Sequence, residues 1–424
     1  MKNSNYYKAV NKIKASDTLK NNIIKKMEEE SRKNSLGAIK GKKNQRYKIW
    51  IPVAATFGII ISLLFLQNQK SKVLNNNVVN NQNQNNNIEI SANLPKLKVS
   101  DEVGGMGFEG YMAYSIDELE NGNPWTVNSD IRTLPVFKNK SPLINGYPLA
   151  NLSADEMIQK AKEFADLMKI NINEIYTSPT KEELEAYENK AAVKRDDTPY
   201  EAIAIGDGVE IKVESSGKAR IMFEPGIELP SEFNFTFTDT TREEAKEVLS
   251  YLTKKYSNVI NMKEPSEKLF GQYTFSGDQM YNYDIYENEG DLTNKILNYN
   301  FNNVSFSPND DSDLWIIDID KKDTTENIGS YPTITVDQAR KLLLEGSYIS
   351  TAPEEFSDEK LIERVELIYR TGDYDEVFMP YYKFLVELTS MKQENGLKTF
   401  GAFYVPAIEG EYIENMPKWE GQFN

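Results

Sequence analysis

Several groups of residues have the types or spacing that chemistry would need. Gly105, Gly107 and Gly110 in GGMGFEG stand at G-x-G-x-x-G spacing. In a dinucleotide fold such glycines open a helix and let the backbone approach a pyrophosphate. Here YMAYSIDEL follows, with no βαβ unit and no downstream acidic partner, so a loop or bulge at the entry to a folded module is expected. S-x-x-K occurs at Ser215–Lys218 and Ser357–Lys360. In Ser-Lys enzymes the Ser starts a helix and the Lys one turn on is its base. Ser215 falls in an expected hairpin turn and Ser357 reads as a plain cap of SDEKLIERV, while neither S-D-N nor K-T-G occurs. PNDDSDLWIIDID offers Asp310, Asp311, Asp313, Asp318 and Asp320 as hard oxygen ligands for Ca²⁺. The EF-hand spacing and its Gly are missing, and Asp and Asn before a strand need no metal. Tyr-rich strands such as MYNYDIYENEG and FMPYYKFLVEL could form an aromatic platform for peptide or glycan, but half-buried strands favour Tyr and Phe anyway.

The chain has 424 residues and contains neither Cys nor His. Ser-His-Asp and Cys-His catalysis are thereby excluded, as is zinc held by imidazole or thiolate. No disulfide can form, so every folded part rests on its core. No cofactor and no metal site are expected, and the chain is expected not to be an enzyme.

These groups must be positioned by elements whose environments differ along the chain. Residues 1–48 hold 14 Lys and Arg against 4 Asp and Glu, net +10; the remaining 35 basic and 61 acidic residues give −26. The acidic part would repel phosphates, so no nucleic-acid partner is expected. Between the two lies Ile49–Leu66, 18 residues without a charge. As a helix it would reach about 27 Å, close to a hydrocarbon core of about 30 Å. Lys40, Lys42, Lys43, Arg46 and Lys48 precede it, and the positive-inside rule puts the N-terminus in the cytoplasm. The 48 preceding residues and the absence of an A-x-A site argue against a cleaved signal. A signal anchor with one membrane span is expected, with the acidic part extracytoplasmic. An Asn-rich linker over residues 67–93 follows.

Capping boxes at Ser153/Glu156, Thr241/Glu244 and Thr335/Gln338 predict three helices. Apolar residues recur at three- or four-residue spacing after each, and alternating strand-like runs follow each helix. The expected fold class is α+β: a single N-terminal transmembrane helix, then about three helix-plus-antiparallel-sheet modules. Their bounds are 94–236, 237–330 and 331–424, after a cytoplasmic tail 1–48, a span 49–66 and the linker 67–93.

A T-x-x-E/Q-A helix start followed by twisted strands with a Gly turn resembles the PepSY-like modules of bacterial extracytoplasmic proteins. With a single N-in span, residues 152–408 look like the Yyc-type accessory proteins that restrain a cell-wall sensor kinase. The resemblance implies a binding or regulatory role. In the tail, Tyr6, Val10 and Ile13, then Leu19, Ile23 and Met27, fall at helical spacing and form a partner-docking stripe. Tyr6, Ala9, Ile13, Ala15, Ser16, Leu19 and Lys20 are similar to the start of membrane-bound anti-sigma factors, of a zinc-free type since Cys and His are lacking. A basic amphipathic tail lying on anionic lipid is the alternative reading. The expected function is a single-span regulator that binds a ligand outside and docks a sigma factor or sensor kinase inside. A membrane-anchored enzyme acting on cell-wall glycan or peptide is the first alternative, and a structural surface protein the second.

Overall fold

The computed structural model describes residues 93–100, 108–144, 147–179 and 199–419. Nine antiparallel strands form the largest sheet. In spatial order these are β10 (Phe270–Tyr273), β11 (Gln279–Glu287), β12 (Asn302–Pro308), β13 (Leu314–Lys321), β8 (Ala219–Ile227), β7 (Val209–Glu214), β6 (Glu201–Gly206) and β5 (Glu174–Ser178), with β9 (Pro265–Glu267) also paired to β11. Alternation separates the two faces of this sheet. One row, Ala204–Ile211–Ile221–Ile317–Phe306–Tyr283, runs across six strands and is apolar. The neighbouring row on the opposite face, Ile203–Lys212–Arg220–Asp318–Ser305–Asp284, is polar over five of its six positions.

Two helices cover the apolar face. Helix α1 (Ala154–Met168) lies on β5–β7 and α2 (Arg242–Lys255) on β11. Met157, Ala161, Ala165, Ala245, Val248, Leu249 and Leu252 enter one core with the sheet residues. Both helices start at reciprocal capping boxes, in which Ser153 and Thr241 accept from the N–H groups of Glu156 and Glu244. A short helix, α3 (Ser257–Ile260), extends α2.

A second sheet has the order β1 (Gly110–Ala113), β19 (Lys398–Pro406), β18 (Pro380–Glu387) and β16 (Ile362–Tyr369), with β15 (Ile349–Ser350) also on β19. Strand β18, PYYKFLVE, is central and buried on both faces, which explains its nearly continuous apolar run. Tyr382, Phe384 and Val386 pack beneath α5 (Val336–Leu344) and α4 (Leu292–Phe301), with Phe403 and Val405 of β19. The cap of α5 is the third capping box, Thr335 with Gln338. A three-stranded sheet, β14 (Asn327–Pro332), β2 (Thr133–Lys138) and β17 (Val377–Phe378), and a ribbon of β3 (Leu143–Ile144) and β4 (Tyr147–Pro148) complete the strands.

The fold class expected from the sequence is corrected. The described chain is mostly β, with large antiparallel sheets, and is not a series of helix-covered modules. The reason is that β8 hydrogen-bonds β13, so strands following different helices merge into one sheet, and α1 and α2 share its face. Local caps and periods do not report which distant strand becomes a neighbour. Among the strand-like runs expected after the second capping box, ILNYNFNNVSF is divided: α4 ends at Phe301 and β12 begins at Asn302, with Asp291 as the helix cap. The transmembrane helix and signal anchor are corrected with it, since no helix among the described residues is long and apolar enough to cross a membrane. Ile49–Leu66 lies outside those residues, and an apolar run reports length and charge but not conformation.

Candidate functional site

The polar face of the nine-stranded sheet meets one face of the second sheet at β10 and β11, and a cleft of about 370 Å³ lies between them. That volume is within the range of about 300–1,000 Å³ usual for small-molecule sites. Phe270, Gln272, Asn282 and Asp284 project from the outer hairpin on one side. On the other side Glu366, Lys383 and Tyr404 stand directly beside one another on β16, β18 and β19. Tyr111 of β1 shares this face, because it is paired with Phe400 in the alternation that also presents Tyr404. The rings of Tyr111 and Phe270 touch edge to face at 5.1 Å where the two sheets meet.

The segment from Ser115 to Asn123 brings Asn121 into the lining of the cleft. A single 3-10 turn, Ile116–Leu119, is held by Arg364, which donates to the carbonyls of Leu119 (2.8 Å) and Ile116 (2.5 Å). Asn121 then donates to Glu366 Oε1 at 3.0 Å, and Asn123 donates to the carbonyl of Leu367 at 3.2 Å. Gly122 has φ +73°, and a Cβ there would stand 2.6 Å from the carbonyl oxygen of Glu267. Only glycine fits that turn without a shift of backbone.

Four polar side chains form a closed network on the second sheet. Lys383 Nζ lies 3.1 Å from Glu109 Oε1 and donates to the Tyr111 hydroxyl at 2.7 Å. The Tyr404 hydroxyl is 2.6 and 2.7 Å from the two Glu109 oxygens, and Tyr111 donates to the same carboxylate. Glu109 is fixed in turn by its backbone N–H, which donates to Thr351 Oγ1 at 2.7 Å. Burial alone would push the Glu109 carboxyl up, but Lys383 and the two phenols together hold it below the ordinary glutamate range. Burial likewise disfavours the Lys383 ammonium, and the Tyr404, Glu109 and Glu366 oxygens outweigh it and hold the group charged. Burial pushes Tyr111 and Tyr404 well up, so both are hydroxyl donors at neutral pH.

The opposite wall carries a second cation. Lys268 Nζ donates to the Tyr299 carbonyl (2.8 Å) and to Asn303 Oδ1 (3.0 Å), and it stands 4.2 Å from the centre of the Tyr299 ring. Burial pushes this ammonium down, against the opposing pull of Asp284 and Asp320. Burial pushes the Asp284 carboxyl up, against the Ser305 hydrogen bond and the charge of Lys268. The lining residues include no Ser, and their only aliphatic hydroxyl is Thr371. The arrangement therefore offers fixed donors and acceptors and charges of both signs.

The Tyr-rich strands read from the sequence supply part of this cleft, Asn282 and Asp284 from MYNYDIYENEG and Lys383 from FMPYYKFLVEL. Glu109 of GGMGFEG belongs to its network, whereas the S-x-x-K and Asp-rich motifs lie elsewhere. Gly105 and Gly107, and the docking residues Tyr6, Val10, Ile13, Leu19, Ile23 and Met27, lie outside the described residues. Gly110 is the first residue of β1, opposite Gly401. Ser215 sits in the β7–β8 turn, 1 % exposed. Asp358 caps the 3-10 turn Glu359–Leu361, in place of the Ser357 cap expected from the sequence. In the Asp-rich turn, Asn309 Oδ1 accepts from the N–H groups of Asp311 and Asp313. The cleft residues went unnoticed in the sequence because they come from segments hundreds of positions apart. Their one local signal is a charge at mid-strand: Lys383 in PYYKFLVEL, Glu366 in RVELIYR, Asp284 in MYNYDIY. No family model matches the chain, and no curated protein matches it.

Proposed function

We propose that the chain is a non-catalytic binding protein of regulatory type, which takes up a small polar ligand in the cleft between the two sheets. The observation that carries this reading is the Glu109–Lys383–Tyr111–Tyr404 network, in which each charged group is already committed to a fixed partner. Groups held in this way suit recognition, because a preorganised wall loses little on binding. They suit acid–base turnover less, since that requires a proton to leave and return within reach of a reacting atom. In the same proposal the stripe Tyr6, Val10, Ile13, Leu19, Ile23 and Met27 docks the partner that reads occupancy, a sigma factor or a sensor kinase.

A hydrolytic reading is favoured by one observation, the upward-pushed Asp284 carboxyl, which is the property of a general acid. Against it, Glu366, the other carboxylate lining the cleft, already accepts a hydrogen bond from Asn121. The test is to incubate the full chain with oligosaccharide and short-peptide probes and to analyse bound and free probe by mass spectrometry. The binding reading expects probe retained and recovered unchanged. Cleaved probe, with cleavage lost in Asp284→Asn, would establish the enzyme instead.

A further inference from the structure

Resting on the binding reading, the charges around the cleft narrow the ligand's class. Lys268 and Lys383 stand against Asp284 and Glu366 among the lining residues, two cations and two carboxylates on facing walls. Neither cation is offered to an incoming anion as a free site. Lys383 is bound to Glu109 and Tyr111, and Lys268 to a backbone carbonyl and Asn303. A phosphate or carboxylate ligand would find at most one remaining N–H on each ammonium and would meet Asp284 and Glu366 beside it. A cationic ligand would meet Lys268 and Lys383 with the same result, because like charges in a recessed site repel strongly. What the walls leave for recognition is a mixed set of amides and hydroxyls, above all Gln272 and Asn282 on the hairpin face. An amide supplies a donor and an acceptor at once and suits a partner that carries both.

We infer that the cleft takes an uncharged, polyhydroxylated ligand, a short segment of neutral glycan, read by the amides of Gln272 and Asn282 and by the carboxylate of Glu366. Ring carbons of such a ligand would lie towards Phe270 and Tyr111, at the seam between the sheets. Hydroxyls would face the hairpin amides. The charged network beneath sets the selection against ionised sugars.

Three disaccharides of similar shape test this on the full chain by titration calorimetry: diacetylchitobiose, its de-N-acetylated diamine, and a uronic-acid disaccharide. The neutral sugar should bind, and each charged analogue should bind at least about tenfold more weakly. Gln272→Ala combined with Asn282→Ala should lower the neutral affinity by about tenfold or more with the melting temperature unchanged. Glu366→Gln keeps the shape and the hydrogen bond from Asn121 but removes a negative charge, and it should relax rejection of the uronic-acid sugar. A charged analogue binding as tightly as the neutral one would overturn the inference and leave the cleft a binding site. Binding of trialanine but of none of the sugars, lost in the amide double variant, would do the same. If the neutral sugar binds and the double variant holds it as well as the parent does, both the inference and the proposed site fail. If no probe binds, both fail as well.

Discussion

Lys383 and Glu109 lie 274 positions apart in the chain, yet Nζ and Oε1 stand 3.1 Å apart, with side chains only 14 % and 17 % exposed. A cation and a carboxylate removed this far from water are held by one another and by the tyrosines around them. Removing one leaves the other uncompensated. Lys383→Met is therefore expected to lose about 3–5 kcal/mol of stability, the range for breaking a recessed pair. The double variant Lys383→Met with Glu109→Gln should lose less than the sum of the two single changes. Denaturant unfolding of the full chain measures all three. Additive losses would show that the two groups are not coupled.

The same pair sets a pH dependence with two limbs. Glu109 is held below its ordinary value of 4.5, so its contribution is present above that value and is lost as pH falls through the lower, folded value. Lys383 is held above its ordinary 10.5, so its contribution is complete below that value and is lost as pH rises through the higher, folded one. Stability measured against pH should fall at the acid end, and Glu109→Gln should flatten that acid limb. An unchanged acid limb in the variant would assign the loss to other carboxylates.

Asp284 has the opposite sign. Its carboxyl is pushed above 3.8 by burial, so the folded state bears a cost once the group ionises, and that cost is absent at lower pH where it is protonated in both states. Asp284→Asn is expected to stabilise the chain at pH 7, with the advantage shrinking as pH is lowered towards 4. Thermal melts of parent and variant across that range check it. A variant less stable than the parent at pH 7 would show that the carboxylate has a charged partner it needs.

The helix starts are the most local feature of the fold. Thr241 accepts from the Glu244 N–H at 3.2 Å while the Glu244 carboxylate accepts from the Thr241 N–H at 2.8 Å. Thr241→Ala should cost about 1 kcal/mol, within the range of about 0.5–2 for loss of an N-cap. Equilibrium unfolding gives the value directly, and a cost near zero would mean that α2 is held by packing alone.

These capping boxes were legible in the sequence because a cap spans four residues. The alternation of MYNYDIY and PYYKFLVEL was legible for the same reason. The helix Leu292–Phe301 was not, because ILNYNF is rich in Asn and aromatic residues and has strand-like composition. Its start depends on Asp291, whose side chain accepts from the Asn294 N–H at 2.9 Å. Least legible was the pairing of β8 with β13, where Arg220 Nε and Nη2 reach the two carboxylate oxygens of Asp318 at 2.7 and 2.8 Å. That contact joins residues 98 apart, at the strand pairing that makes one broad sheet. The cleft depends on such long-range pairings throughout: Glu366 beside Lys383 beside Tyr404, with Asn121 reaching Glu366 from 245 positions away. A mid-strand charge marks Glu366 and Lys383 locally, but nothing nearby in the sequence says what either will face.

A ligand held in the space between the two sheets should slow backbone exchange on both of its walls. Hydrogen–deuterium exchange of the full chain, with and without saturating diacetylchitobiose, tests it most directly. Exchange should slow in β10, β11 and β16 and in the Ser115–Asn123 segment, with α1 and β5–β7 unaffected. Protection confined to α1 and β5–β7, or none at saturation, would contradict it.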